Sequence, residues 1–291
     1  MRDRHPAPPQ KADILLTGRP GQSARQAVAD GEQLDASLEV LPIPAFEDNY
    51  LWLLHDGRDA VVVDPGDAVP VEATLAQLGL TLRAILVTHS HGDHVGGIAA
   101  LLAEWPDVPV YGPAREPVPG LTHAVGDGSR VSLRAPQLEL EVLDVPGHTV
   151  GHVAYYGQNR LFCGDTLFAC GCGRIDQPPA VMYASLERLA ALPGATQVYC
   201  THEYTQANIR FALTVDAGNP ALQARAAEVA ALRDAGRVTL PSTLAIERAS
   251  NPFLRCTEPA VVEAASRAAG APLPTPSAVF ARLRAMKNVF R

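Results

Sequence analysis

The sequence predicts a layered α/β fold that ends in an all-helical region. Two observations carry this expectation. Between residues 38 and 203, short apolar runs closed by turn residues are interleaved with amphipathic stretches of helical period. Beyond Glu203 the alternating pattern stops and helical periodicity takes over to the end of the chain. The composition, 47% apolar and 19% charged over 291 residues, suits a soluble globular chain with a full core.

In chain order, residues 1–37 are rich in Pro, Gln, Ala, Asp and Arg and lack sustained periodicity. They are expected to be a disordered extension, or a tail from a start codon set too far upstream. The first strand signal is Leu38–Ile43, and Pro42 confines it to a sheet edge. Further strands are expected at Tyr50–His55, Ala60–Asp64, Ala84–Thr88, Val108–Tyr111, Leu138–Asp144, His152–Tyr156, Arg160–Cys163 and Gln197–Thr201. Helices are expected at Val69–Leu78, Gly96–Glu104 and Ala180–Leu192. Strand pairs mixed with helices imply two sheets covered by helices. After residue 203, helices are expected at Tyr204–Val215, Ala221–Ala235, Glu258–Ala269 and Ser277–Phe290, separated by Pro and Gly breakers. The predicted organisation is therefore an extension (1–37), a catalytic domain (38–203) and a small helical substrate-binding domain (204–291).

The net charge of −7 argues against a nucleic-acid partner, and no apolar run is long enough to span a membrane. With no signal-peptide core visible, the chain is expected in the cytoplasm, and a monomer is expected. Cys163, Cys170, Cys172, Cys200 and Cys256 are an odd number, so reduced, mostly buried thiols are the reading that fits. Cys170-Gly171-Cys172 has the wrong spacing for a structural zinc pair. Only two of the 24 basic residues are lysines, Lys11 and Lys287.

The chemistry concentrates in Thr88-His89-Ser90-His91-Gly92-Asp93-His94, which follows a β-branched strand and precedes a helix. A turn after a strand end aims several side chains at one point from a rigid platform. Three imidazoles and a carboxylate in six residues suit Zn²⁺, Fe²⁺ or Mn²⁺. His89 and His91 share a side of an extended segment, while Asp93 and His94 follow a glycine, an arrangement that favours two ions side by side. More donors follow later strands: His148 in Pro146-Gly147-His148-Thr149, Asp165 in Gly164-Asp165-Thr166, and His202 in Thr201-His202-Glu203. His152 reads as a core or supporting residue rather than a ligand.

Taken together, these motifs resemble the metallo-β-lactamase superfamily. The resemblance implies an αβ/βα four-layer sandwich with a binuclear site. It assigns His89, His91 and His148 to one metal and Asp93, His94 and His202 to the other, with Asp165 bridging. Two divalent ions are implied, zinc first, with iron or manganese as alternatives. Within the superfamily, Glu47-Asp48-Asn49-Tyr50-Leu51-Trp52, Gly171-Cys172-Gly173-Arg174, Cys200-Thr201-His202-Glu203-Tyr204-Thr205, the stretches 241–244 and 250–255, and Arg284-x-x-Lys287-x-x-Phe290 resemble the glyoxalase II family of hydroxyacylglutathione hydrolases. That similarity runs from about residue 40 to 291 and implies a glutathione thioester as the partner. Arg284 and Lys287, three apart on one helix face, would hold the glycine carboxylate of glutathione, and Arg174 and Tyr204 match further glutathione contacts. Asp93 would orient or accept the nucleophile's proton. One departure is Ile175-Asp176-Gln177-Pro178, where the family carries an aromatic in place of Asp176. The alternatives are a mononuclear-iron glutathione persulfide dioxygenase, a metallo-hydrolase acting on a non-glutathione substrate such as a β-lactam, and a metal-binding protein without catalysis.

Overall fold

Val61, Val63 and their neighbours face one hydrophobic cluster while Ala60 and Val62 face another, so this strand is buried on both sides. A computed structural model of the chain describes residues 38–290, and the expected extension over residues 1–37 lies outside the described residues. One sheet runs in the spatial order β1 (Glu39–Ala45), β2 (Asn49–His55), β3 (Asp59–Val63), β4 (Thr81–Leu86), β5 (Val110–Pro113), β6 (His123–Val125). Pro42 lies in β1, the edge strand that the proline predicts. The second sheet contains β7 (Arg130–Arg134), β8 (Gln137–Asp144), β9 (Val153–Gly157) and β10 (Arg160–Gly164). A small hairpin of β11 (Leu167–Phe168) and β12 (Gly171–Cys172) follows, and β13 (Gln197–Cys200) then pairs parallel to β10.

Helices α1 (Ala68–Leu78), α2 (Gly92–Val95) and α3 (Ile98–Glu104) connect parallel strands of the first sheet. Leu51 and Leu53 pack with Val71, Leu75 and Leu101 on their side, whereas Tyr50, Trp52 and Leu54 face Val142, Tyr155 and Phe162 of the second sheet. Helix α4 (Pro179–Ala190) adds Met182, Leu186 and Leu189 to that second cluster. The order helix, sheet, sheet, helix is the predicted sandwich, and each fully buried large apolar side chain contributes about 1.5–3 kcal/mol. The helix expected over 96–104 starts only at Ile98, and its N-cap residue Gly97 lies so close to α1 that a Cβ there would be 2.5 Å from Ala68 N.

The C-terminal region comprises α5 (Thr205–Val215), α6 (Pro220–Asp234), α7 (Leu244–Ser250), α8 (Pro259–Ala269) and α9 (Pro276–Val289). Its boundaries follow local chemistry: Asn219 accepts from Ala221 N and Leu222 N, Thr275 accepts from Ala278 N, and Pro220 and Pro276 occupy first turns. The expectation of helix alone beyond Glu203 needs a correction. Ser242–Thr243 form a short strand, β14, that pairs with β13 at the edge of the second sheet. Two residues are too few to leave a period in the sequence. All five cysteines are buried free thiols.

Candidate metal centre

The fold gathers the predicted ligands at one edge. β8 and β10 are both antiparallel to β9, and β13 is parallel to β10, so residues following β8, β10 and β13 emerge on the same side. His148, Asp165 and His202 are those residues, and the run after β4 meets them from the first sheet. His91 caps α2, which places Asp93 and His94 in its first turn.

His91 Nδ1 lies 3.0 Å from both His89 Nε2 and His148 Nε2. Asp93 Oδ2 lies 3.6 Å from His94 Nε2 and 3.5 Å from His202 Nε2. Asp165 faces both groups: Oδ1 is 3.5 Å from His94 Nε2, and Oδ2 is 3.5 Å from His148 Nε2 and 3.4 Å from His202 Nε2. Three trios have ligand atoms within 4.8 Å of one another: His89–His91–His148, His89–His94–Asp165 and Asp93–His94–His202.

The outer ring nitrogens decide which atoms face inward. His148 Nδ1 donates to Arg174 O at 2.9 Å, and His202 Nδ1 donates to Asp48 Oδ1 at 2.8 Å. His94 Nδ1 is 3.0 Å from Asp64 Oδ2. Thr88 Oγ1 gives its proton to Asp64 at 2.7 Å and so accepts from His89 Nδ1 at 3.1 Å. Three imidazoles, those of His89, His148 and His202, thus turn Nε2 inward, while both ring nitrogens of His94 and Asp165 Oδ1 are buried without a hydrogen-bond partner. Converging lone pairs and an orphaned carboxylate oxygen are what a cation neutralises, so the donor set fits a divalent metal. Burial pushes His89 well below the ordinary histidine range. On His94 burial opposes charge, yet Asp165 and Asp64 outweigh it and raise the ring well above that range. Burial also opposes charge on Asp165, but His94 and His202 hold its carboxyl well below the usual range.

His152 is fully buried and stacks on His89 with ring centres 4.6 Å apart. Its Nε2 accepts from Asp165 N at 3.2 Å, a supporting role rather than a ligand's.

The supporting residues were less visible in sequence. Asp48 and Asn49 sit in a motif already noted, and Asn49 Nδ2 donates to Asp93 Oδ2 at 3.0 Å. Asp64 ends a predicted strand. Glu116 carries no sequence signal, yet its carboxylate accepts from Ser90 N at 2.6 Å, from Gly151 N at 3.0 Å and from Thr149 Oγ1. It therefore clamps the His89–His91 turn to the His148 loop. Glu116→Gln, which loses acceptors but keeps size, is expected to weaken metal binding ~10-fold or more. Metal-buffer titration checks this, and wild-type affinity would remove Glu116 from the support.

A cleft of about 350 Å³ adjoins the centre, with His148, Asp165, Arg174, Tyr204, Arg284 and Lys287 among the residues that line it. Tyr204 stacks on His202 at 4.7 Å, the planes 2° apart. Lys287 Nζ donates to Ala207 O at 3.0 Å between the Phe211 and Phe290 rings. Burial first, then Arg284 and Arg210, lower its pKa to about 8. Asp176 is exposed, and its backbone N–H donates to Gly147 O at 2.9 Å.

Residues 46–202 match the metallo-beta-lactamase superfamily model, and residues 203–290 match the model described as hydroxyacylglutathione hydrolase C-terminus. The chain is 52% identical over 255 residues to the hydroxyacylglutathione hydrolase of Nitrosomonas europaea, covering 87% of this chain and 97% of that one. It is 55% identical over 266 residues to that of Cupriavidus taiwanensis, covering 87% and 100%. Among solved structures, TTHA1623 in a di-iron-bound form aligns at 30% identity with a TM-score of 0.53, over 74% of this chain and all of that one. The BLEG-1 B3 metallo-beta-lactamase aligns at 25% identity with a TM-score of 0.55, over 75% and 99%.

Proposed function

Because the chain belongs to the hydroxyacylglutathione hydrolase (glyoxalase II) family of the metallo-beta-lactamase superfamily, we propose that it hydrolyses S-(2-hydroxyacyl)glutathione thioesters. S-D-lactoylglutathione would give D-lactate and glutathione, the second step of methylglyoxal detoxification. One observation carries the reading to this site: a single cleft joins His148 and Asp165 to Arg174, Tyr204, Arg284 and Lys287.

The site binds divalent metal; the finer reading is two ions, zinc first. His89, His91 and His148 would hold one ion and Asp93, His94 and His202 the other, with Asp165 facing both. Bound there, divalent metal lowers the pKa of water toward ~7 and supplies positive charge to a developing oxyanion. The chain's own residues do the rest. Asn49 fixes Asp93 Oδ2, so that this carboxylate can orient the attacking water and take its proton. Attack breaks the C–S bond, and the thiolate leaves without a general acid because its thiol has a pKa near ~8.5. A monomer in the cytoplasm, where thiols stay reduced, completes the proposal; no helix among the described residues is long and apolar enough to cross a membrane.

Following S-lactoylglutathione cleavage alongside metal analysis of the same sample tests the reading. Turnover should vanish on chelation and return with metal. A metal-replete protein that leaves this thioester intact but consumes oxygen with glutathione persulfide would be the dioxygenase instead.

Lys287→Ala is expected to raise KM ~10-fold with little change in kcat, the loss of about 1.4 kcal/mol of charge-assisted binding. The wild-type KM should also climb above pH 8, because Lys287 loses its proton near that value and with it the attraction for a carboxylate. Lys287→Arg should flatten the climb. A KM that is flat from pH 7 to 9 in the wild type would separate Lys287 from substrate binding.

A further inference from the structure

Arg284 is buried at the wall of the cleft, and its hydrogen bonds tie that wall together. Nη1 donates to Cys172 O at 2.8 Å and approaches Gly173 O at 3.4 Å. Nε donates to Asn288 Oδ1 at 3.0 Å, and the guanidinium carbon sits 5.5 Å from the centre of the Phe253 ring. These bonds occupy Nη1 and Nε and are made without any ligand.

The backbone that Arg284 grips is tied on its other side to the metal ligands. Arg174 O, one residue beyond Gly173, accepts the Nδ1 proton of His148 at 2.9 Å. Gly173 N donates to Thr166 O at 3.2 Å, beside Asp165. Asp176 N and Gln177 N both donate to Gly147 O, the carbonyl preceding His148. Residues 172–177 therefore run between α9 and two ligand loops, and the Arg174 carbonyl selects the His148 tautomer that turns Nε2 inward.

We propose that Arg284 is a positioning residue for the metal centre: it holds the 172–173 carbonyls so that Arg174 O keeps His148 oriented as a ligand. This rests on the metal-site reading above and not on the identity of the thioester. A protein that binds metal but leaves S-lactoylglutathione intact would sink the substrate while leaving this role open to test.

Cobalt(II) binding distinguishes positioning from carboxylate capture, because it reads the ligand set without substrate. Arg284→Lys keeps the charge but loses the planar fork that meets two carbonyls. It is expected to weaken Co²⁺ binding ~10-fold, to alter the visible spectrum, and to lower kcat as well as raise KM. Lys287→Ala should leave the affinity and spectrum at wild-type values. Asn288 is exposed, so Asn288→Ala serves if Arg284→Lys does not fold; releasing Nε should shift the spectrum in the same direction. A folded Arg284→Lys with wild-type Co²⁺ affinity and spectrum, changed only in KM, overturns the proposal. So does an unchanged spectrum in Asn288→Ala when that variant is the one available.

Discussion

His202→Ala should lose at least ~100-fold in turnover while remaining folded. The ring projects from the end of β13, where its Nε2 lies within 3.5 Å of both Asp93 Oδ2 and Asp165 Oδ2. Asp48 fixes its other nitrogen. Removing it leaves Asp48, Asp93 and Asp165 around a gap and takes one donor from the group that would hold the second ion. Losing a supporting partner of a metal ligand already costs 10–100-fold, and losing the ligand itself also removes much of the electrostatic help to the transition state. Metal content per chain should fall, with the melting profile of the metal-free protein little changed. Full metal content with near-normal turnover would exclude His202 from the centre.

The second large effect is expected from one added methyl group. A Cβ on Gly173 would sit 1.9 Å from the carbonyl oxygen of Asp165 and 3.5 Å from His148 Nδ1. The first clash is with backbone, which no rotamer change relieves, so the segments carrying Asp165 and Arg174 must move apart. Gly173→Ala should therefore cut kcat/KM by ~100-fold or more, the cost of displacing reacting groups by about 1 Å. Its circular dichroism should match the wild type and its metal affinity should fall. Activity near wild type would show that this close approach relaxes at no cost.

The convergence of the candidate ligands was legible because each chemistry-bearing residue follows a strand whose apolar run is plain in the chain. His89 to His94 lie in one stretch, and His148, Asp165 and His202 occupy short motifs of their own. What could not be read is whatever depends on a distant partner. Glu116 lies in a loop without a motif, and only folding brings it to Ser90, Thr149 and Gly151. The resemblance assigns Arg284 a ligand contact, but no motif shows its bonds to carbonyls more than a hundred residues away. Among the elements, β14 escaped because its partner is β13 and not an adjacent run. The close approach of Gly97 to the start of α1 is likewise invisible to helical period.

The five cysteines bear on how such a protein survives its own chemistry. An acyl thioester is an acylating agent, and any thiolate within reach can capture its acyl group by exchange. Cys172 is among the residues lining the cleft, yet it is only 3% exposed, and burial raises its pKa despite Arg284 nearby. Cys163, Cys200 and Cys256 are raised by burial too, and Cys170 is pushed up to about 12. At neutral pH none of them offers a thiolate to compete with water for the acyl carbon, so the chain is spared self-modification by the compound it consumes.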